Sequence, residues 1–323
     1  MGYLWGDLMN QDAELLGSVL RIERTSIHDG EGLRTVLFLK GCPLRCSWCS
    51  TPESQLSYTE KGYAFDLCLG CGKCIRSCPE GALSMSEDEP KVLNDITKCK
   101  KCFICVSKCP RRALKSYGRL MSVQEAVREI IKDEIFYFHS GGGITISGGE
   151  PLCQPDFVAK ILQECRERGI HTAMETSFYA PWENIEKILP WLNFLYVDIK
   201  HMDKKLHKYW VGVDNLQILA NIRKTDRSEY PLEIAVRIPM IPGVNDSDIN
   251  LSATAEFCRS IKKLKEVELL AYHRLGIETY KYLGIDYALK NLVPQSQEKI
   301  LERAVFLSRQ NLGVLIRVGG GFV

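Results

Sequence analysis

Arg34-Thr35-Val36-Leu37-Phe38-Leu39 reads as a strand, and Lys40-Gly41-Cys42-Pro43-Leu44-Arg45-Cys46-Ser47-Trp48-Cys49 follows it directly. Three thiols in a C-x3-C-x2-C spacing therefore stand where a strand gives way to a loop. Parallel α/β architectures collect their functional residues at such strand ends. Outward from this point, apolar strand-like and amphipathic helical segments alternate. Further strands are expected at 143–147, 171–175, 194–199, 232–238, 266–272 and 313–318. Helices are expected at 122–134, 155–168, 182–189, 215–224, 248–262 and 295–310, the second of them ending at Gly169. This alternation predicts an α/β fold with a parallel sheet and crossover helices. Six strand–helix units are too few for an eight-unit barrel, so a partial (β/α)6 TIM-like barrel is the expected architecture.

The alternation is interrupted between the first strand and its helix. There stand Cys68-x2-Cys71-x2-Cys74-x3-Cys78-Pro79 and its repeat, Cys99-x2-Cys102-x2-Cys105-x3-Cys109-Pro110. This is the bacterial ferredoxin spacing, in which the fourth Cys of each run serves the other cluster. Crossed pairing predicts one [4Fe–4S] cluster on Cys68, Cys71, Cys74 and Cys109, and a second on Cys99, Cys102, Cys105 and Cys78. Zinc motifs also use C-x2-C, but two tandem four-Cys runs with Pro after the last fit clusters better. The expected organisation is a barrel from 15–57 and 119–323, with a ferredoxin-like double [4Fe–4S] insert at 58–118 on the same rim as Cys42–Cys49. Cys153, Cys165 and Cys258 remain outside these groups and are expected to pack as small hydrophobes.

Composition narrows the possibilities further. The 323 residues are 45% hydrophobic and 25% charged, compatible with a sizeable core. Lys and Arg number 42 against 40 Asp and Glu, so a formal charge of +2 gives no argument for nucleic acid or an anionic membrane as partner. No uncharged apolar run approaches the ~18 residues of a spanning helix. Residues 1–11 show no basic segment followed by an apolar one, as an export signal would. A cytoplasmic location without membrane attachment is expected, and there fourteen cysteines argue for metal rather than disulfides.

The triad Cys42, Cys46 and Cys49 covers three of the four irons of a cube. Its C-x3-C-x-aromatic-C form, with Trp48, followed by Ser147-Gly148-Gly149-Glu150-Pro151, resembles the radical S-adenosylmethionine (SAM) proteins. Asp29-Gly30-Glu31-Gly32-Leu33-Arg34-Thr35, Ser140-Gly141-Gly142-Gly143, Asp198-Ile199-Lys200, Val211-Gly212-Val213, Arg237 before Pro239-x2-Pro242-Gly243, and Tyr272-His273-Arg274-Leu275-Gly276 resemble the glycyl radical enzyme activating enzymes. The likeness covers the chain after about Gly17, and the insert matches the larger members, which serve decarboxylases, lyases, dehydratases and arylsuccinate synthases.

The resemblance implies a radical SAM oxidoreductase working anaerobically. The open iron would take SAM's amino and carboxylate groups. An electron from a donor such as flavodoxin or ferredoxin would cleave a C–S bond, and the 5′-deoxyadenosyl radical would take hydrogen from a partner's glycine. It also implies site residues. Gly148, Gly149 and Glu150 would hold SAM's ammonium. Trp48 would lie near the adenine, simple cluster shielding being the plainer alternative. Asp198, Lys200, Arg237 and His273 would make polar SAM contacts, where a solvated Lys and a structural His are the plainer alternatives. Asp29, Gly30 and Arg34 would shape the mouth for the partner's glycine loop. Departures are Glu31 where Pro is usual, Ser50-Thr51 where His-Asn is usual, and Glu175-Thr176 where an Asp-Thr beside a monovalent cation occurs. Two rivals stay open at this point: a radical SAM enzyme acting on another peptide or a small molecule, and an iron–sulfur electron carrier.

Overall fold

The computed structural model describes residues 15–87 and 91–319. Its main sheet contains β1 (Leu16–Ser26), β2 (Arg34–Leu39), β7 (Arg119–Ser122), β8 (Gly143–Gly148), β9 (His171–Thr176), β10 (Phe194–Asp198), β11 (Glu233–Met240), β12 (Leu264–Ala271) and β13 (Leu315–Gly319). The order is β13-β12-β11-β10-β9-β8-β2-β1-β7. Strands β2 and β8 to β13 run parallel, while β1 lies antiparallel between β2 and β7. The smaller strands β3 (Glu60–Tyr63), β4 (Leu83–Met85), β5 (Val92–Asn94) and β6 (Leu114–Tyr117) form two separate pairs, β3 with β6 and β4 with β5.

The helices are α1 (Lys73–Arg76), α2 (Ile104–Ser107), α3 (Val123–Ile131), α4 (Glu134–Ser140), α5 (Pro155–Glu167), α6 (Trp182–Glu186), α7 (Lys204–Val211), α8 (Leu216–Asp226), α9 (Asp248–Arg259), α10 (Ile277–Leu283) and α11 (Gln297–Ser308). Local chemistry starts and stops them. Ser122 and Glu125 form a reciprocal capping box on α3, Pro155 opens α5, and Asp203 accepts from the first turn of α7. In β2 and β8, apolar side chains are enclosed on both faces of the sheet. Val36, Leu37 and Leu39, with Ile144 and Ile146, are fully buried. Cys165 and Cys258 belong to this core, whereas Cys153 is exposed.

The strands expected at 34–39 and from 143 to 318 all form, with ends shifted by a residue or two. The helix expected at 122–134 ends at Ile131 as α3, and α4 follows Asp133 without a counterpart in the sequence reading. Strand β1 had no counterpart in the sequence reading. Its Arg21, Glu23 and Arg24 break the apolar pattern because the strand is buried at Gly17–Val19 and exposed on both faces at Glu23–Thr25. Helices α7 and α10 also lacked counterparts, being short and rich in polar and aromatic residues.

Residues 58–118 have their own small core of Cys74, Leu83, Val92, Cys105 and Leu114. Their junction with the sheet is polar and tight. Lys40, fully buried two residues before Cys42, donates to Glu53 O and pairs with Glu60 Oε2 at 3.0 Å. Helix α10, which follows β12, packs against both β3 and the turn Pro52–Ser54.

Candidate active site

The C-terminal ends of β2 and β8 to β12 surround one cavity of about 380 Å³. Cys42, Cys46 and Cys49 form part of its wall, as do Trp48, Gly148, Gly149, Asp198, Lys200, Arg237 and His273. The cysteine loop is held from outside. Arg45 N donates to Val211 O at 2.8 Å, Ser47 N to Trp210 O at 2.9 Å, and Tyr280 Oη to Cys49 O at 3.2 Å. Trp48 packs with Leu44, Val211, Ile241 and Tyr272 and is 8% exposed. The three thiols are unbridged. Burial pushes Cys46 up to about 12 and raises Cys42 and Cys49 as well. Such a pocket disfavours bare thiolates, and a bound cationic metal centre reverses that preference. Three converging sulfurs, with Cys153 off the wall, fit a cube that keeps one iron free.

The Gly148-Gly149-Glu150 turn is built for close approach. Gly148 has φ +120°, and Glu150 N donates to Gly41 O at 2.7 Å. The side chain of Glu150 is directed elsewhere than the sequence suggested. It is 0% exposed, and its carboxylate accepts from Leu152 N, Thr176 Oγ1, Ser177 N and Ser177 Oγ at 3.1, 2.5, 2.9 and 2.5 Å. Burial raises its pKa, and those four donors pull it back. Glu150 thus ties β8 to the end of β9, and only its backbone neighbours Gly148 and Gly149 face the cavity.

Beyond the glycines lies a chain of ion pairs. Lys200 Nζ meets Asp198 Oδ2 at 2.5 Å; burial works against its charge, but Asp198 and Cys46 hold its pKa above the ordinary value. Arg237 contacts Glu175 Oε1, meets Glu268 Oε2 at 2.6 Å, donates to His28 O at 3.1 Å and lies 4.0 Å over the Tyr196 ring. Burial pushes Glu175 up to about 6 against the pull of Arg237. Ser147 Oγ donates to the second Glu175 oxygen at 2.6 Å. A monovalent cation beside Glu175, which the longer Glu side chain already put in question, has a competitor on the chain itself, the Arg237 guanidinium. His273 is half-buried on the cavity wall, where burial lowers its pKa.

Asp29 lines the main cavity, whereas Gly30 lies beside the Arg34 side chain and lines a second cavity of about 220 Å³, walled by Phe194, Lys265 and Leu315 near the starts of β10, β12 and β13. Arg34 is a correction. It is 1% exposed and donates to Thr145 Oγ1 at 2.6 Å and to Ile144 O at 2.5 Å, with His171 Nδ1 at 3.3 Å. It begins β2, at the opposite end from the thiols, and joins β2 to β8 and β9. Ser177 and Tyr280 escaped the sequence reading, whereas Thr176 and Tyr272 stood in motifs it named without a role of their own.

In the insert, Cys68, Cys71, Cys74 and Cys109 wall one cavity, and Cys78, Cys99, Cys102 and Cys105 wall another. Among the described residues, no group of three or more His, Cys, Asp or Glu is placed to hold a single metal ion.

The Radical SAM superfamily model matches residues 36–254. The (2S)-3-sulfopropanediol dehydratase activating enzyme of Klebsiella oxytoca is 44% identical over 292 residues, covering 88% of this chain and 90% of that protein. The isethionate sulfite-lyase activating enzyme of Nitratidesulfovibrio vulgaris is 43% identical over 277 residues, covering 84% and 89%. The chain belongs to the glycyl radical enzyme activating enzymes of the radical SAM superfamily. The family's [4Fe–4S] cluster and SAM are thus the cofactors against which the main cavity has to be read. A radical SAM methyltransferase from Sphaerobacter thermophilus, 15% identical, aligns over 95% of this chain and 78% of its own with a TM-score of 0.54, a likeness of fold alone. Among the described residues, no helix is long and apolar enough to cross a membrane.

Proposed function

We propose that this chain reductively cleaves SAM and uses the resulting 5′-deoxyadenosyl radical to remove a hydrogen atom from one glycine of a partner glycyl radical enzyme. The observation that carries this reading is the main cavity, with three thiols rather than four on its wall and opposing charged groups along its floor. Cys42, Cys46 and Cys49 would hold a [4Fe–4S] cluster that, when bound, supplies the electron for breaking a C–S bond of the sulfonium. The chain's own residues place the substrate. The Gly148 and Gly149 backbone offers its carbonyls to an ammonium. Lys200, held by Asp198, offers a cation to a carboxylate. His273 and Arg237 offer donors to ribose or carboxylate oxygens, and Trp48 closes the wall beside them.

The architecture supporting this is a partial (β/α)6 barrel of 15–57 and 119–323, with a ferredoxin-like insert at 58–118. The two four-cysteine cavities of the insert favour two further [4Fe–4S] clusters, three in all, reduced by a flavodoxin- or ferredoxin-type donor. Relatives that serve a dehydratase and a sulfite-lyase are about equally similar, so the partner's class is best read from a glycyl radical enzyme encoded beside this chain. Anaerobic reconstitution should give about twelve irons per chain. Changing Cys42, Cys46 and Cys49 together to Ala should leave about eight and abolish SAM cleavage. The intact protein with SAM, reductant and its cognate partner should yield a glycine-centred radical signal, which is lost when the partner's glycine becomes Ala. Full iron retention in the triple variant would falsify the site.

A further inference from the structure

The two insert cavities are not equivalent in their relation to the SAM site. The one walled by Cys68, Cys71, Cys74 and Cys109 is bounded by residues of the insert alone. The one walled by Cys78, Cys99, Cys102 and Cys105 also takes Leu283 from α10, a helix of the barrel. Three residues earlier, Tyr280 on the same helix donates to Cys49 O at 3.2 Å. Positions three apart share a face, and the rise between them is about 4.5 Å. A single turn of α10 therefore separates the contact with the SAM-site cysteine loop from the contact with this insert cavity.

The helix is pinned at both ends. Gly276, its N-cap, lies so close to Ser50 O that a Cβ would fall inside van der Waals contact, one residue past Cys49. At the other end, Lys115 of β6 lies 4.7 Å over the Tyr282 ring, and Gly284 stops the helix in the left-handed region. Lys61 Nζ lies 3.8 Å from Cys99 Sγ in the same insert cavity, and hydrogen bonding and positive charge at a ligand sulfur raise a cluster's reduction potential.

We propose that the Cys78, Cys99, Cys102, Cys105 cavity is the inner station of an electron path into the SAM site, that α10 is its bridge, and that the Cys68, Cys71, Cys74, Cys109 cavity is the outer station. This rests on the three-cluster reading above. One electron moves at each stage. A low-potential one-electron carrier protein is oxidised, each station is reduced and then reoxidised, and the cluster on Cys42, Cys46 and Cys49 is the acceptor. No bond or proton moves along the way.

The test uses the full-length holoenzyme, reconstituted and fully reduced by dithionite, with electron paramagnetic resonance as the readout. The inner pair Cys102→Ala with Cys105→Ala should abolish the spin–spin broadening and fast relaxation of the SAM-responsive signal. The outer pair Cys71→Ala with Cys74→Ala should preserve them. Each double variant should hold about eight irons. The reverse ranking at that iron content overturns the ordering alone. A wild-type content of about four irons overturns the three-cluster reading and the path with it. For the bridge, Leu283→Ala should slow reduction of the SAM-responsive signal by a ferredoxin-type donor several-fold while leaving direct reduction by dithionite unchanged. Tyr282→Ala, which removes the Lys115 contact at the same end of α10, should do likewise if Leu283→Ala loses iron. Unchanged donor-driven rates in an iron-replete variant rule out α10 as the bridge.

Discussion

Changing Glu150 to Gln decides whether this side chain serves the fold or the substrate. The swap is close to isosteric, so it opens no cavity, and its whole effect lies in hydrogen bonding. The carboxylate accepts four donors, two on each oxygen. An amide keeps one acceptor oxygen and turns an NH2 group toward two donors. A hydroxyl can rotate and accept from it, but a backbone N–H cannot. One buried N–H left unpaired costs about 1–3 kcal/mol, and each bond that loses its charge assistance costs about 1 kcal/mol more. The sum is about 3–5 kcal/mol. With a urea m-value of ~3 kcal/mol/M, the midpoint of the SAM-free holoenzyme should fall by about 1 M or more. Thr176→Val and Ser177→Ala should show coupling to Glu150→Gln in double-mutant cycles. An unchanged midpoint together with weakened SAM binding would show that the carboxylate faces the ligand and that this reasoning is wrong.

Arg34→Met should lower uncoupled SAM cleavage and partner activation in parallel with the folded fraction, at a cost of about 1–3 kcal/mol for each buried acceptor left unpaired; selective loss of partner activation would return Arg34 to the peptide entrance. Lys40→Met should loosen the junction between residues 58–118 and the main sheet by uncovering Glu60 and Glu53 O, seen as faster hydrogen exchange at both 58–63 and 50–55. Burial, reinforced by Arg34, pushes His171 down to about 4 from 6.5. For a base shifted in this direction, the unfolded chain binds the extra proton between those values. Its contribution is therefore complete above about 6.5 and lost as the pH falls toward 4. His171→Gln should flatten that part of the pH–stability curve, as measured by urea midpoints.

The thiol groups and the parallel strands were legible because each rests on a short-range signal. Cysteine spacing identifies which sulfurs can share a centre, and apolar runs such as Thr35–Leu39 mark strands buried on both faces. Side-chain direction was not legible in the same way. Glu150 and Arg34 belong to polar motifs that read as functional, yet each is enclosed by partners from distant positions: Thr176 and Ser177 for the first, Thr145 and His171 for the second. Only the fold brings those donors and acceptors together. Glu175 shows the same limit, since its Arg237 partner lies 62 residues away on another strand. Helix α10 was missed for a different reason. Seven residues give too little periodicity to stand out, and its ends are fixed by Gly276 against Ser50 and by the turn at Gly284.

The order in which these contacts lie along the chain sets a timetable for a protein emerging from the ribosome. All eleven cysteines of the three groups are made by residue 109, and the outer insert cavity is complete once Leu114 follows. The Cys42–Cys49 loop finds Gln55 O early but waits much longer for its other backbone partners, Trp210 and Val211, and Tyr280 and His273 come later still. At ~5–20 residues per second, the stretch from Cys49 to Val211 alone takes about 10–30 s. Throughout that interval Cys42, Cys46 and Cys49 lack those partners. With clusters held as proposed, metal loading is expected to reach the cysteines of 68–109 first and Cys42, Cys46 and Cys49 last, and a pulse of oxidant during synthesis should harm that last site before the others.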